Sequence, residues 1–235
     1  MNATSQSNPT SQLNPTTATH YVSADTIQRY TFHERVMHWL TAFAYTYCLA
    51  TGLAFYTPHL FWLAVMLGGG PTSRFWHPIL GIGFFLAIVW MHVVWRRDME
   101  ITETDKRFLS NVEDYATNRD DRVPPQEKYN GGQKLYYWLM YYGAFLLLVS
   151  GIFLWFPEYI PFSLAWVRHS MIVLHEIAAL ITIGGFIVHV YMSVFLVPGS
   201  MTAMTQGFVS RSWARTHHRL WYLRMTGGDN EGQSR

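Results

Sequence analysis

Residues 166–197 read WVRHSMIVLHEIAALITIGGFIVHVYMSVFLV, and Pro198 and Gly199 follow directly. A run this long and apolar predicts a membrane-spanning helix, because a hydrocarbon core of about 30 Å is crossed by ~20 residues rising ~1.5 Å each. Inside it stand His175 and His189. Fourteen residues of helix measure ~21 Å, and fourteen steps of ~100° return to within ~40° of the start. Both imidazoles therefore share one face, at two depths. An ionisable side chain is costly within a bilayer and marks a functional site by default.

Three further runs of this kind lie at about 36–56, 75–95 and 135–156. Half of the 235 residues are hydrophobic and only 14% are charged, where a soluble domain carries about 25%. The 10 tryptophans and 14 tyrosines suit membrane–water interfaces. The expected fold is an all-α membrane protein, a four-transmembrane-helix bundle over residues 29–198. Residues 1–28 are rich in Ser, Thr, Asn and Gln and lack Lys and Arg, which reads as a polar mobile tail and not as a secretory signal. In the C-terminal segment 199–235, Trp213, Trp221 and Tyr222 alternate with Arg211, Arg215, Arg219 and Arg224. That pattern, directly after a span, suggests an amphipathic helix on the lipid surface and no nucleic-acid partner.

Four spans would put the N-terminus, the 97–134 loop and the C-terminus on one side. Of the 17 basic residues, all but Arg74 and Arg168 fall on that side, so both termini are expected in the cytoplasm. The single cysteine, Cys48, excludes an intrachain disulfide, a Cys-ligated iron–sulfur cluster and a Cys₄ zinc site. No C-x-x-C-H is present, so no haem is attached covalently.

This topology sorts the histidines into layers. His38 opens the first span on the cytoplasmic side, level with His189, and His77 opens the second on the outer side, level with His175. Two imidazoles facing each other across a bundle suit the two axial positions of a haem iron. Filling both positions leaves no open site for oxygen or substrate and favours electron transfer. The plain alternative for any single histidine is a helix-packing contact or an interfacial residue. His92, in the second span near the cytoplasmic surface, could replace His38 as the partner of His189. His20, His33, His59, His169, His217 and His218 lie outside the spans and read as interfacial or solvated.

With the histidines placed, a family likeness emerges. The segments 34–39 (ERVMHW), 76–81 (WHPILG), 128–134 (KYNGGQK), 150–157 (SGIFLWFP), 169–175 (HSMIVLH) and 199–217 (GSMTAMTQGFVSRSWARTH) resemble, in order and spacing, the gamma subunit of respiratory formate dehydrogenase, a diheme cytochrome b of the bacterial inner membrane. The resemblance implies two haem b groups, the outer between His77 and His175 and the inner between His38 and His189. It also implies a site for menaquinone or ubiquinone at Asn130, Gly132 and Gln133, near the inner haem. The implied partners are an iron–sulfur beta subunit, a molybdenum or tungsten formate-oxidising alpha subunit, membrane lipid, and further copies of the heterotrimer. Read on its own, Asn130-Gly-Gly-Gln133 is either such a site or an ordinary cap opening the third helix. Glu176 either pairs with Arg168 or faces a propionate or the iron–sulfur subunit. The competing functions are the cytochrome b subunit of a nickel–iron hydrogenase or thiosulfate-type reductase, a haem-free anchor, and a histidine-lined metal transporter.

Overall fold

The computed structural model describes residues 22–117, 119 and 122–228. In chain order its elements are β1 (Thr26–Gln28), α1 (Phe32–Tyr56), α2 (Trp62–Met66), α3 (Gly70–Trp95), α4 (Glu103–Ser110), α5 (Val112–Ala116), α6 (Gly131–Trp155), α7 (Ala165–Tyr191), α8 (Ser200–Thr205), β2 (Phe208–Ser210), α9 (Arg211–His217) and α10 (Arg219–Thr226). Apart from the short antiparallel pair β1–β2, the regular structure is helical.

Helices α1 and α6 begin earlier than their apolar runs alone suggest, because polar residues cap them. Thr31 and Glu34 close a capping box at α1, Thr102 and Asp105 at α4, and Asn130 and Gln133 at α6. Each box satisfies backbone N–H groups that a helix start otherwise leaves orphaned. The end of α7 loosens into a π-turn, Met192–Leu196, before Gly199 turns the chain at φ 86°.

Three segments are long and apolar enough to cross a membrane: Gly70–Trp95, Gly131–Trp155 and Phe162–Leu196. The first helix differs. At 25 residues α1 has the length, but His38, Thr41, Tyr45, Thr46, Tyr47 and Thr51 make it more polar than the other three. Its status as a fourth span therefore rests on its place in the bundle and not on composition.

Packing follows the chain: α1 lies on α3, α3 on α6, and α6 on α7. The α6–α7 contact is closest where any side chain on Gly143 would collide with Thr182. The ring of helices does not close tightly, for α7 comes near the backbones of α1 and α3 at few points.

At one end of the bundle a second core forms. Ile27 and Tyr30 ahead of α1, Met99, Phe108, Tyr115 and Tyr129 between α3 and α6, and Val209, Trp213, Trp221 and Tyr222 after α7 are buried together. Residues 22–28, assigned from composition to the tail, thus include a paired strand, with Ile27 fully enclosed; residues 1–21 lie outside the described residues. The segment after Gly199 is three short helices with Trp213 and Trp221 turned inward. Aromatic residues that look surface-seeking in sequence find a protein core here because β1 and the 97–134 loop supply its other walls. Arg29, 2% exposed, sits among Tyr30, Tyr129, Trp213 and Trp221 and gives a 2.6 Å hydrogen bond to the Lys128 carbonyl.

The loop is tied to the third long helix by a buried ion pair. Lys134 Nζ lies 2.7 Å from Asp105 and donates to the Glu100 carbonyl at 2.8 Å. Burial raises the Asp105 carboxyl, but hydrogen bonds from Lys134 and Thr102 outweigh this and hold it below its ordinary value. A Cβ on Gly131 would fall 2.6 Å from the Asp105 carbonyl oxygen, so α6 must begin with a glycine for α4 to lie against it.

Candidate functional site

Four histidines on three helices meet as two pairs. His38 of α1 faces His189 of α7 with ring centres 6.2 Å apart, and His77 of α3 faces His175 of α7 at 6.3 Å. The planes within each pair are inclined at 50° and 54°. The two separations nearly coincide, and they fit a bridged pair as well as a tilted ring contact. A metal–imidazole bond of ~2.0–2.1 Å plus ~1.1 Å from nitrogen to ring centre, taken twice, spans ~6.3 Å. Each pair is therefore spaced to hold one metal atom between two nitrogens.

Two imidazoles alone are too few ligands for a free ion. Among the described residues no group of three or more His, Cys, Asp or Glu side chains could hold one. A haem, which brings four nitrogens of its own, needs only the two axial ligands each pair offers. The outer pair also has room beside it: a cavity of about 420 Å³ is lined by His77 and His175 together with Gly52, Gly81, Gly151 and largely apolar neighbours. Arg74 and Glu176 are its charged lining residues. Among the described residues no ion pair joins Glu176 to Arg168.

The two pairs differ in what surrounds them. His77 Nδ1 is 2.7 Å from the hydroxyl of Thr51 on α1, and His175 Nδ1 is 2.9 Å from the hydroxyl of Ser150 on α6. His38 Nδ1 is buried without a hydrogen-bond partner. His189 lies flat against Tyr136, ring centres 4.5 Å apart and planes within 5°. His92 faces away from both pairs: its Nδ1 is 2.6 Å from the Tyr137 hydroxyl and its ring stacks on Tyr141 at 4.4 Å.

Asn130 and Gln133 form the cap of α6. Asn130 Oδ1 accepts from the Gln133 N–H at 2.9 Å, and Gln133 Oε1 accepts from the Asn130 N–H at 3.1 Å. The side-chain oxygens are thereby engaged, while their amide N–H groups take no part in the box. Gly132 has only ordinary neighbours, whereas Gly131 is the tightly confined glycine. From Asn130 the helix runs six residues, ~9 Å, to Tyr136 and the His189 it covers.

Sequence reasoning overlooked Thr51, Ser150 and Tyr136. A hydroxyl or phenol within an apolar helix gives no signal until its neighbour is known. His218, expected at a wet interface, is instead 1% exposed, its Nδ1 2.6 Å from the Glu127 carbonyl. Burial and the nearby Arg29 charge push its pKa well below the ordinary value.

Comparison with known proteins agrees with this geometry. Residues 29–207 match the family model described as prokaryotic cytochrome b561. The chain is 35% identical over 199 residues to the formate dehydrogenase cytochrome b556(fdo) subunit of Escherichia coli K12, covering 84% of this chain and 92% of that one. The nitrate-inducible formate dehydrogenase cytochrome b556(Fdn) subunit of the same strain is 34% identical over 83% and 90%. The formate dehydrogenase cytochrome b556 subunit of Haemophilus influenzae is 31% identical over 86% and 84%.

Proposed function

The chain belongs to the prokaryotic cytochrome b561 family, and from that premise we propose that it is the membrane cytochrome b subunit of a formate dehydrogenase complex, carrying electrons through two b haems to a quinone. The observation that carries this is the pair of histidine couples, 6.2 and 6.3 Å between ring centres, stacked at two levels of one helix. A haem-free anchor would have no use for four imidazoles so spaced. When bound, each haem would supply a one-electron iron centre, one held by His38 and His189 and the other by His77 and His175.

In this reading the chain spans the bacterial inner membrane four times, with both termini in the cytoplasm. Two observations support that orientation. The distribution of Lys and Arg favours it. Segments from before α1, between α3 and α6, and after α7 share one core, as expected if α1 runs away from the cap as far as α3 returns. The outer pair, His77 and His175, would then face an iron–sulfur subunit. The inner pair, His38 and His189, would lie near the cap and the quinone.

The chain's own residues would act there as donors. The free amide N–H groups of Asn130 and Gln133 can hydrogen-bond a quinone carbonyl, with Gly132 leaving the backbone bare for its approach. Formate gives carbon dioxide, one proton and two electrons in a partner subunit; the quinone takes two electrons and two protons and becomes the quinol. Protons released outside and taken up inside would add to a transmembrane gradient. Menaquinone and ubiquinone would be bound alike by these donors.

The decisive measurement is a reduced-minus-oxidised spectrum of the purified protein with haem counted by extraction. A b-type spectrum with two haems per chain is expected, and colourless protein would overturn the proposal. Neighbouring subunits that copurify should include a formate-oxidising enzyme.

A further inference from the structure

We propose that Thr51 and Ser150 are positioning residues that set the outer imidazole pair apart from the inner one, lowering the reduction potential of a haem held by His77 and His175. This rests on those two histidines being the ligands of one haem, as proposed above.

The direction of two hydrogen bonds decides the matter. A hydroxyl has one hydrogen to give. Thr51 Oγ1 lies 2.8 Å from the Tyr47 carbonyl, one turn back on its own helix, and Ser150 Oγ lies 2.6 Å from the Leu146 carbonyl. A carbonyl can only accept, so each hydroxyl spends its hydrogen there. The contacts from Thr51 to His77 Nδ1 and from Ser150 to His175 Nδ1, at 2.7 and 2.9 Å, must then run from N–H to oxygen. Both hydroxyl residues are fully buried, so water does not compete for them.

Two consequences follow. First, the hydrogen is fixed on Nδ1, which leaves the Nε2 lone pair of each outer ring free to bind metal without a tautomer change. Second, an imidazole that donates its other N–H becomes a more basic ligand. A more basic axial ligand stabilises the oxidised iron and lowers its potential. The inner pair has neither bond: His38 Nδ1 is buried without a partner, and among the described residues no hydrogen bond reaches the imidazole of His189, which has the face of Tyr136 instead. Two donating ligands outside and none inside bias the outer site toward the lower potential. Electrons entering from outside would thus run downhill toward the inner pair.

The test is an optical redox titration of the intact complex carrying Thr51→Val or Ser150→Ala. His77→Ala first identifies the outer component as the one it abolishes; if both haems survive that change, the ligand pairing itself fails, independently of any potential. With the pairing intact, each hydroxyl deletion should raise the outer midpoint, the double variant should raise it further, and the inner midpoint should stay put. Thr51→Ser and Ser150→Thr, which keep the hydroxyl, should restore the original value. An outer midpoint unmoved in both deletions would overturn the inference. So would a shift that Thr51→Ser reproduces, since packing and not hydrogen bonding would then be its cause. If a deletion variant loses the outer haem, retention in Thr51→Ser supports the role of the hydroxyl, and loss there too refutes it.

Discussion

In the cap, Trp221, Phe108 and Ile27 are at most 2% exposed, and the charges among them have partners: Lys134 with Asp105, Lys128 with Glu34 at 3.5 Å, Trp95 Nε1 with Glu34 at 2.7 Å. Between the long helices Ala44, Tyr45, Phe84, Ile88, Met140 and Ala144 pack together, but room remains around the histidines. A cavity of about 420 Å³ lies beside the outer histidines, one imidazole nitrogen of the inner pair has no partner, and α7 stands off from α1 and α3. The cap is built much as a water-soluble domain is, by closing apolar surface and pairing its buried carboxylates with cations. The bundle has room beside its outer histidines for the group proposed above. Its membrane-facing surface gains nothing from hydrophobic burial against lipid, so the haems proposed above would, by bridging α7 to α1 and α3, add to the small core the bundle has of its own.

That contrast is most directly tested by removing the bridge. His175→Ala should cost one of two haems and His189→Ala the other. In either variant, amide exchange along α7 should accelerate while the cap segments at 99–129 and 203–222 stay protected, because a ligand stabilises only the structure that binds it. Equal acceleration in both regions would mean that cap and bundle are one cooperative unit.

The next largest effect belongs to the cap. Lys134→Met leaves Asp105 charged, buried and without its cation, a change worth about 3–5 kcal/mol. Exchange protection and thermal stability of the 99–129 segment should fall accordingly. Lys134→Met with Asp105→Asn should recover part of the loss, since the uncompensated charge is then gone. Haem content should remain at the native value throughout, which separates this from the histidine variants.

How much of this contrast was legible beforehand follows from the kinds of residue involved. Imidazoles in apolar spans are conspicuous, and the fourteen-residue step between His175 and His189 sets their shared face by helix geometry alone. His38 and His77 could be matched to them because charge distribution fixes which helix ends are level. Thr51 and Ser150 could not be picked out, for a hydroxyl bonded to its own helix one turn back looks the same whether or not a histidine stands beside it. The cap was illegible for a different reason. Its walls come from three segments far apart in the chain, none apolar enough to announce a core, and Arg29 in particular becomes buried only once four aromatic rings from three segments surround it. Glu34 and Gly131 show the same limit: each reads as a cap or a turn residue, and only packing reveals the Trp95 indole or the Asp105 carbonyl pressed against it.

Asn130 joins the two regions and should show both kinds of behaviour. Asn130→Ala removes the N-cap of α6, costing about 1 kcal/mol, and removes an amide donor near the inner pair. Quinone reduction should slow while formate still reduces the haems. Asn130→Asp keeps the capping oxygen and deletes the amide N–H. It should retain the stability yet not the turnover, and a variant with unchanged turnover would leave Asn130 with a structural role alone.

The smallest effect is a pH dependence confined to the cap. His218 is buried beside Arg29 and His217, and burial together with the Arg29 charge holds its pKa well below the ordinary value of about 6.5. Above that value the imidazole is neutral in both folded and unfolded chains and contributes no pH dependence. As pH falls below it, the unfolded segment gains a proton that the folded one refuses, so cap stability is lost progressively. At pH 6 the opening equilibrium of the cap should be a few-fold higher than at pH 7. Asp105 and Glu34 do not confuse this window, because both are held below their ordinary carboxylate values and change charge only at more acid pH. Protease cleavage within 199–228 should therefore quicken between pH 7 and 6, while exchange along α7 stays level. His218→Gln should be less stable at every pH yet lose that slope, and a variant that kept it would assign the acid sensitivity to another group in the cap.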